Sequence, residues 1–249
     1  MSEKYINDEL KIYRGEDYVV SKYIHIHQPT LGEICDYGED RYYQMIFQLT
    51  ATPQSMKWQI WEMGIDYTTI TPYQLFLFFI YHSFEKETTK IVFGDLDLKN
   101  FQMIQKDDNS ICLIQTINNE QVVIDEYTYN IIAEYIRKAH FIEKDERIPA
   151  NNSTKMILIE DAKDEWERNK NKEYHSHLKN LISTMVNSVG FKHKHSEVWD
   201  IKINAFMDSV KRIQKIDNAN LLLNSGYSGF GINLKEIDNK QLDKFGELV

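Results

Sequence analysis

The chain has little of what usually announces an activity. Its two cysteines in 249 residues, Cys35 and Cys112, form no Cys-x-x-Cys pair. Each lies beside isoleucine, so a reduced, buried thiol is the expected state. Four prolines and ten glycines are too few for a turn-rich sandwich or barrel, which leaves helix as the expected majority. Long apolar runs are also missing. The most apolar stretch, Leu75 to Tyr81, is far too short to span a bilayer, and Met1 to Glu9 lacks the basic-then-apolar order of a secretory signal. A basic excess is missing too: 29 Lys and Arg stand against 38 Asp and Glu, a net charge of −9. Nucleic acid is therefore not an expected partner. What is present is apolar material. Hydrophobic residues make up 42%, with 15 Tyr and 12 Phe, enough for a real core in one large or two small domains.

Charge is distributed unevenly. Residues 1–136 hold 10 basic and 21 acidic residues, residues 137–215 hold 16 and 12, and residues 216–249 hold 3 and 5. The reading is an acidic N-terminal α+β domain over 1–142 and a C-terminal helical domain over 156–249. The charged, Pro-Ala-Asn-Asn-Ser-containing stretch 143–155 joins them.

Local signals give the elements. Residues 1–29 read as extended, with a hairpin turned at Arg14-Gly15-Glu16-Asp17. Thr30 caps a short helix to Tyr37 that Gly38 ends, and a second helix runs from Glu39 to Leu49. A third starts at Pro53 with Met56, Ile60, Trp61 and Met63 inside. A fourth starts at Thr71-Pro72 and reaches Glu85, buried all round at Leu75 to Tyr81. Short β-like runs follow at 91–93, 101–104, 111–114 and 122–124, with turns at Asp107-Asp108-Asn109 and Asn118-Asn119. They make a β-meander over 90–124. Helical periodicity returns at Asp125 with Ile131, Ile132, Tyr135, Ile136 and Ala139. It continues in a solvated, charged segment at 160–175. Amphipathic stripes then follow at Leu178, Leu181, Ile182, Met185, Val186 and Val189, and at Ile203, Phe206, Met207, Val210 and Ile213. A Gly-rich turn, Gly226 to Gly231, follows Leu221-Leu222-Leu223. The fold class is α+β: mainly helical, with a small β-hairpin near the N-terminus and a short β-meander in the middle.

No spacing amounts to a catalytic, metal or nucleotide motif. His-x-His occurs three times, at His25/His27, His175/His177 and His193/His195. A strand would aim each pair to one side, but the pairs are distant and two are in polar segments, so surface histidines explain them better than a metal. Gly226, Gly229 and Gly231 are in the wrong order for a phosphate loop. Carboxylate pairs such as Asp95/Asp97 lack a partner base or nucleophile. The basic and aromatic stretch Phe191-Lys192-His193-Lys194-His195 reads as a loop between helices rather than a nucleic-acid patch. No catalytic residue, metal ligand or cofactor is assigned. The best partner-facing candidate is the basic outer side of helix 200–216: Lys202, Lys211, Arg212 and Lys215. Apolar anchors beside a charged rim are a common way to build an interface.

Several stretches carry a likeness beyond composition. They are Ile24 to Ile34 (Ile-His-Ile-His-Gln-Pro-Thr-Leu-Gly-Glu-Ile) with Gly38-Glu39-Asp40, Met63-Gly64-Ile65-Asp66-Tyr67, and Leu178 to Lys192. The last group is Val198-Trp199-Asp200, Phe206 to Ile216, and Gly226-Tyr227-Ser228-Gly229. Together they span most of residues 20–231, and in them the chain resembles a protein family of tailed phages and prophages of low-GC Gram-positive bacteria. Such proteins stand beside virion structural and tail genes. The resemblance therefore implies a non-enzymatic role in tail or baseplate morphogenesis, as an assembly chaperone or minor virion component. The implied partners are other phage structural or tail proteins, with a homo-oligomer compatible with the role. The implied location is the cytoplasm of the bacterial host, or the virion. The alternative is a host-interaction factor, or a metal-dependent enzyme whose site is assembled from dispersed His and Asp residues.

Overall fold

In the computed structural model, residues 9–228 and 231–248 are described. The first eight residues of the extended reading, and Gly229 and Phe230 of the glycine-rich turn, lie outside them. The chain begins with a short helix, α1 (Glu9–Arg14), and a two-stranded antiparallel hairpin, β1 (Tyr18–Val19) and β2 (His25–Ile26). Four helices follow: α2 (Leu31–Tyr37), α3 (Glu39–Thr50), α4 (Lys57–Glu62) and α5 (Pro72–Leu75). The last runs on as a π turn at Phe76–Ile80 and a 3-10 turn at Tyr81–Ser83. Helix α6 (Lys86–Phe93) leads to an antiparallel meander, β3 (Gln102–Gln105), β4 (Ile111–Ile117) and β5 (Glu120–Ile124), in spatial order β3-β4-β5. The rest is helical: α7 (Glu126–His140), α8 (Asn152–Asn169), α9 (His177–Val186), α10 (Ile203–Tyr227) and the short α11 (Asn239–Leu242). The mainly helical fold with an N-terminal hairpin and a central meander is the one the sequence predicts.

Caps place most of these boundaries. Thr30 and Glu33 form a reciprocal capping box at the start of α2, and Thr71 and Gln74 form another at the start of α5. Each satisfies backbone donors that a helix start otherwise leaves open. Asp125 accepts from the Thr128 N–H to start α7. Asn118 and Asn119 both adopt positive φ, 52° and 65°, the geometry of a tight two-residue hairpin between β4 and β5.

Several local expectations are corrected. Glu9–Arg14 is helix, not strand, and the hairpin turns at residues 20–24 rather than at Gly15. Ile91-Val92-Phe93 is the last turn of α6, where Val92 and Phe93 reach the core and Gly94 stops the helix at positive φ. Helix α4 starts at Lys57, and of its expected inner face only Ile60 is buried, with Trp61 and Met63 exposed. Val189, placed on the inner stripe, is almost fully exposed because α9 ends at Val186. Helix α10 continues through Gly226 to Tyr227. A Cβ at Gly226 would stand 2.2 Å from the Leu234 side chain, so the glycine gives the returning C-terminal segment room to pack. Cys112 is buried as expected, whereas Cys35 is exposed.

Helix α7 is central, packing against α1, α3, α5, α10 and β5. Its Tyr129 and Tyr135 are among the largest fully buried side chains, with Tyr42, Tyr67, Phe84 and Phe206. One contiguous buried cluster extends from Ile12 to Val210. The Tyr73 hydroxyl donates to the Ile124 carbonyl at 2.8 Å, tying the meander to α5. Helix α8 buries only Ile159 and is held mainly from its flank. Lys155 pairs with Asp66 at 2.6 Å, Lys163 pairs with Glu62 at 3.1 Å, and Trp166 lies against Trp58. Among the described residues no helix is long and apolar enough to cross a membrane.

A candidate docking groove beside the basic stripe of α10

Two distant stretches of sequence meet at the start of α10. The Leu31 N–H donates to the Ile201 carbonyl and the Ile203 N–H to the Pro29 carbonyl, so segment 29–31 runs antiparallel to 201–203. A Cβ at Gly32 would meet the Trp199 carbonyl at 3.0 Å, a tight approach that glycine allows without displacing either segment. Gln28, buried beneath, donates to the Ile12 carbonyl at 3.0 Å, and its side-chain oxygen accepts from the Asn204 N–H. Asn204 in turn donates to the carbonyls of Lys138 and Ala139 at the end of α7. This chain of polar contacts fixes α1, α7 and α10 relative to one another, and buried networks of this kind hold one arrangement when their members are satisfied.

Between those three helices and the C-terminal segment lies an open groove of about 1270 Å³. Leu10, Tyr13, Tyr127 and Ile142 line it while remaining exposed. Phe245, 93% exposed, stands at its C-terminal side. Acidic Glu134 and Glu143 and basic Lys138, Lys144, Lys211 and Arg212 rim it. Asp208 also lines it, and partial burial holds its carboxyl above the ordinary range. Single exposed apolar side chains are ordinary on a protein surface. Several along one concave, charge-rimmed surface are the anatomy of a docking site.

The four predicted partner-binding residues separate into two places. Lys202 precedes α10 and lies at 3.8 Å from Glu33, a loose pair. The Glu33 carboxyl is pushed up by partial burial. It nonetheless ends below its ordinary value, because the Thr30 N–H, Lys202 and His27 favour the charged form. Lys211, Arg212 and Lys215 lie together on α10, beside the groove. Lys211 stands 5.2 Å from the centre of the Phe141 ring. Arg212 donates to the carbonyls of Lys244 at 3.0 Å and Gly246 at 2.9 Å, and Lys215 to that of Glu247 at 2.6 Å. The chain's own C-terminal segment therefore lies along the basic stripe. Its hold is through backbone carbonyls, a contact that any extended peptide could reproduce.

The paired histidines do not converge. His25 contacts the Lys22 carbonyl, and His27 lies between Asp17 at 2.7 Å and Glu33 at 3.3 Å. The other two pairs are exposed on separate loops and on the first turn of α9. Among the described residues no three His, Cys, Asp or Glu form a group that could hold a metal ion. The groove itself was not legible in the sequence. Its lining is drawn from four segments far apart in the sequence, and the only signal was the basic side of α10. Comparison of the chain with models of known families, with curated proteins and with solved structures finds no match.

Proposed function

We propose that the chain is a non-enzymatic protein of virion morphogenesis in a tailed phage or prophage. In this reading it binds another phage structural or tail protein, as an assembly chaperone or as a minor component of the tail or baseplate. The phage assignment rests on the resemblance of the stretches between residues 20 and 231. The observation that carries the binding role is the groove, where Leu10, Tyr13, Tyr127 and Ile142 are exposed beside Lys211 and Arg212. An extended or helical segment of a partner would bury its apolar side chains there and set its carboxylates or carbonyls against the α10 stripe. Such a surface binds without chemistry.

The test is affinity capture from induced or infected cells, followed by mass spectrometry of purified particles. A chaperone is captured with its partner and is absent from particles, whereas a minor component is found in both. Lys211→Glu combined with Arg212→Glu should keep the helical circular dichroism, since the buried side of α10 is Ile203, Phe206 and Val210. Partner capture should weaken and lose salt sensitivity, because the attraction that salt screens has been removed. Arg212→Gln keeps a donor for the Lys244 and Gly246 carbonyls without the charge, and so separates a docking role from a hold on the C-terminal segment. Full-strength capture of a phage protein by the folded double variant would remove this groove from the proposal.

A further inference from the structure

The meander has an edge strand exposed along its whole length. Strand β3 is the outer strand of the β3-β4-β5 sheet, and all four of its residues, Gln102–Gln105, are exposed. Met103 is 36% and Ile104 42% exposed, on opposite sides of the strand. The register fixes which backbone groups are open. The Lys106 N–H donates to the Ser110 carbonyl, and Ile104 pairs with Cys112 and Gln102 with Ile114. Hydrogen-bonded pairs alternate along an antiparallel ladder, so Gln102 and Ile104 face β4. The N–H and C=O of Met103 and Gln105 point away from the sheet. Edge strands are usually protected by an inward charge, a proline or a bulge. The run Gln-Met-Ile-Gln has none of these.

We infer that β3 is a self-association edge, pairing antiparallel with β3 of a second copy to make one six-stranded sheet, three strands from each copy. The sequence of the edge suits a two-fold axis through Ile104. In that register Met103 pairs with Gln105 of the other copy and Gln105 with its Met103, which uses the open donors and acceptors of both strands. Ile104 faces Ile104 as the close, non-bonded pair, so both become covered. Lys106 lies opposite a glutamine, and no like charges oppose. The Asp107-Asp108 turn of each copy extends past the paired segment, beside the Lys99–Glu85 ion pair of the other copy. A two-fold contact of this kind closes on itself and stops at the dimer.

Sedimentation equilibrium over a range of concentrations reads the association directly, and a concentration-dependent monomer–dimer equilibrium is expected. Gln105→Pro removes an outward N–H that the chain's own sheet does not use. It should weaken the dimer by about tenfold or more while leaving the circular dichroism unchanged. The register is read by cross-linking in a Cys35→Ser, Cys112→Ala background, which removes the exposed native thiol and the one that faces Ile104 across the β3-β4 ladder. A non-bonded antiparallel pair brings Cα atoms to roughly 4.5 Å, within disulfide reach. Ile104→Cys should therefore oxidise to a covalent dimer, and Leu221→Cys, exposed at the far end of α10, should not. A chain that stays monomeric at every concentration overturns the inference, including the case in which the edge serves a foreign strand. So does a dimer that Gln105→Pro leaves intact and Ile104→Cys fails to trap.

Discussion

Phe206→Ala should lower the free energy of unfolding by about 3–5 kcal/mol, the largest loss expected from a single truncation in α10. Phe206 has no exposed surface, and its ring stands edge-on to Phe191 with centroids 6.3 Å apart. It sits one turn into α10, close to the pairing of segment 29–31 with 201–203. The cavity left by its removal therefore opens beside the pairing of segment 29–31 with 201–203, where the surrounding backbone is held and cannot easily collapse. Folded domains of this size hold only ~5–15 kcal/mol in all, so the variant should unfold at much lower urea with an unchanged slope. Met207→Ala is the internal control. Its side chain is only partly buried, and truncation should remove clearly less. A change below about 1 kcal/mol for Phe206→Ala would mean that the first half of α10 is not packed as described.

That half of α10 was legible in the sequence, and the reason is local. Ile203, Phe206 and Val210 repeat at helical spacing and all three are buried. The capped starts at Thr30 and Thr71 and the Asn118-Asn119 turn were legible for the same reason: their signal is carried within four residues. Ile91-Val92-Phe93 misled because β-branched residues favour strands, yet packing of one face overrides that preference. Here the three residues complete a turn whose inner side is Val92 and Phe93. Trp61 and Met63 misled in the opposite way. They are apolar at helical spacing, but the neighbouring α8 covers the face of Trp58 instead. The last residues of α10, Gly226 and Tyr227, were read as part of a turn because of the glycine, and the real partner of Gly226, Leu234, returns from a separate segment. Neither that return nor the groove beside it leaves a period in the sequence. Both depend on contacts between segments as far apart as Leu10, Ile142 and Phe245.

The second large effect concerns pH and a buried histidine that no motif singled out. His140, the last residue of α7, is buried and contacts only two polar groups. Its Nδ1 lies 2.6 Å from the Ile136 carbonyl, and its Nε2 lies 2.5 Å from the Tyr42 hydroxyl. A carbonyl can only accept, so Nδ1 carries the hydrogen; in the neutral ring that burial favours, Nε2 receives the Tyr42 O–H. Burial drives the pKa of this ring down from 6.5 to about 4, countered only by the Ile136 carbonyl. Burial also pushes the Tyr42 hydroxyl well up, so it stays a donor at all ordinary pH. The unfolded chain therefore binds a proton between pH 6.5 and 4 that the folded chain refuses. Stability is full above about pH 6.5 and falls as the medium is acidified. The loss is complete once the pH is below about 4, and its total is ~3 kcal/mol. Asp66 and Asp145, whose partners Lys155 and Arg147 lower their carboxyls to about 2, act in a separate window below the ordinary value of 3.8. Urea unfolding of the native chain between pH 7 and 4 should show this slope. His140→Gln, which keeps an uncharged acceptor for Tyr42, should be flatter by up to ~1.4 kcal/mol per pH unit within the window, whatever its absolute stability. Tyr42→Phe should keep the slope, because burial rather than the hydroxyl is its cause. If the native profile is flat, or if His140→Gln follows the same slope, the imidazole reaches water in the folded chain and the closed packing of α3 against α7 is wrong.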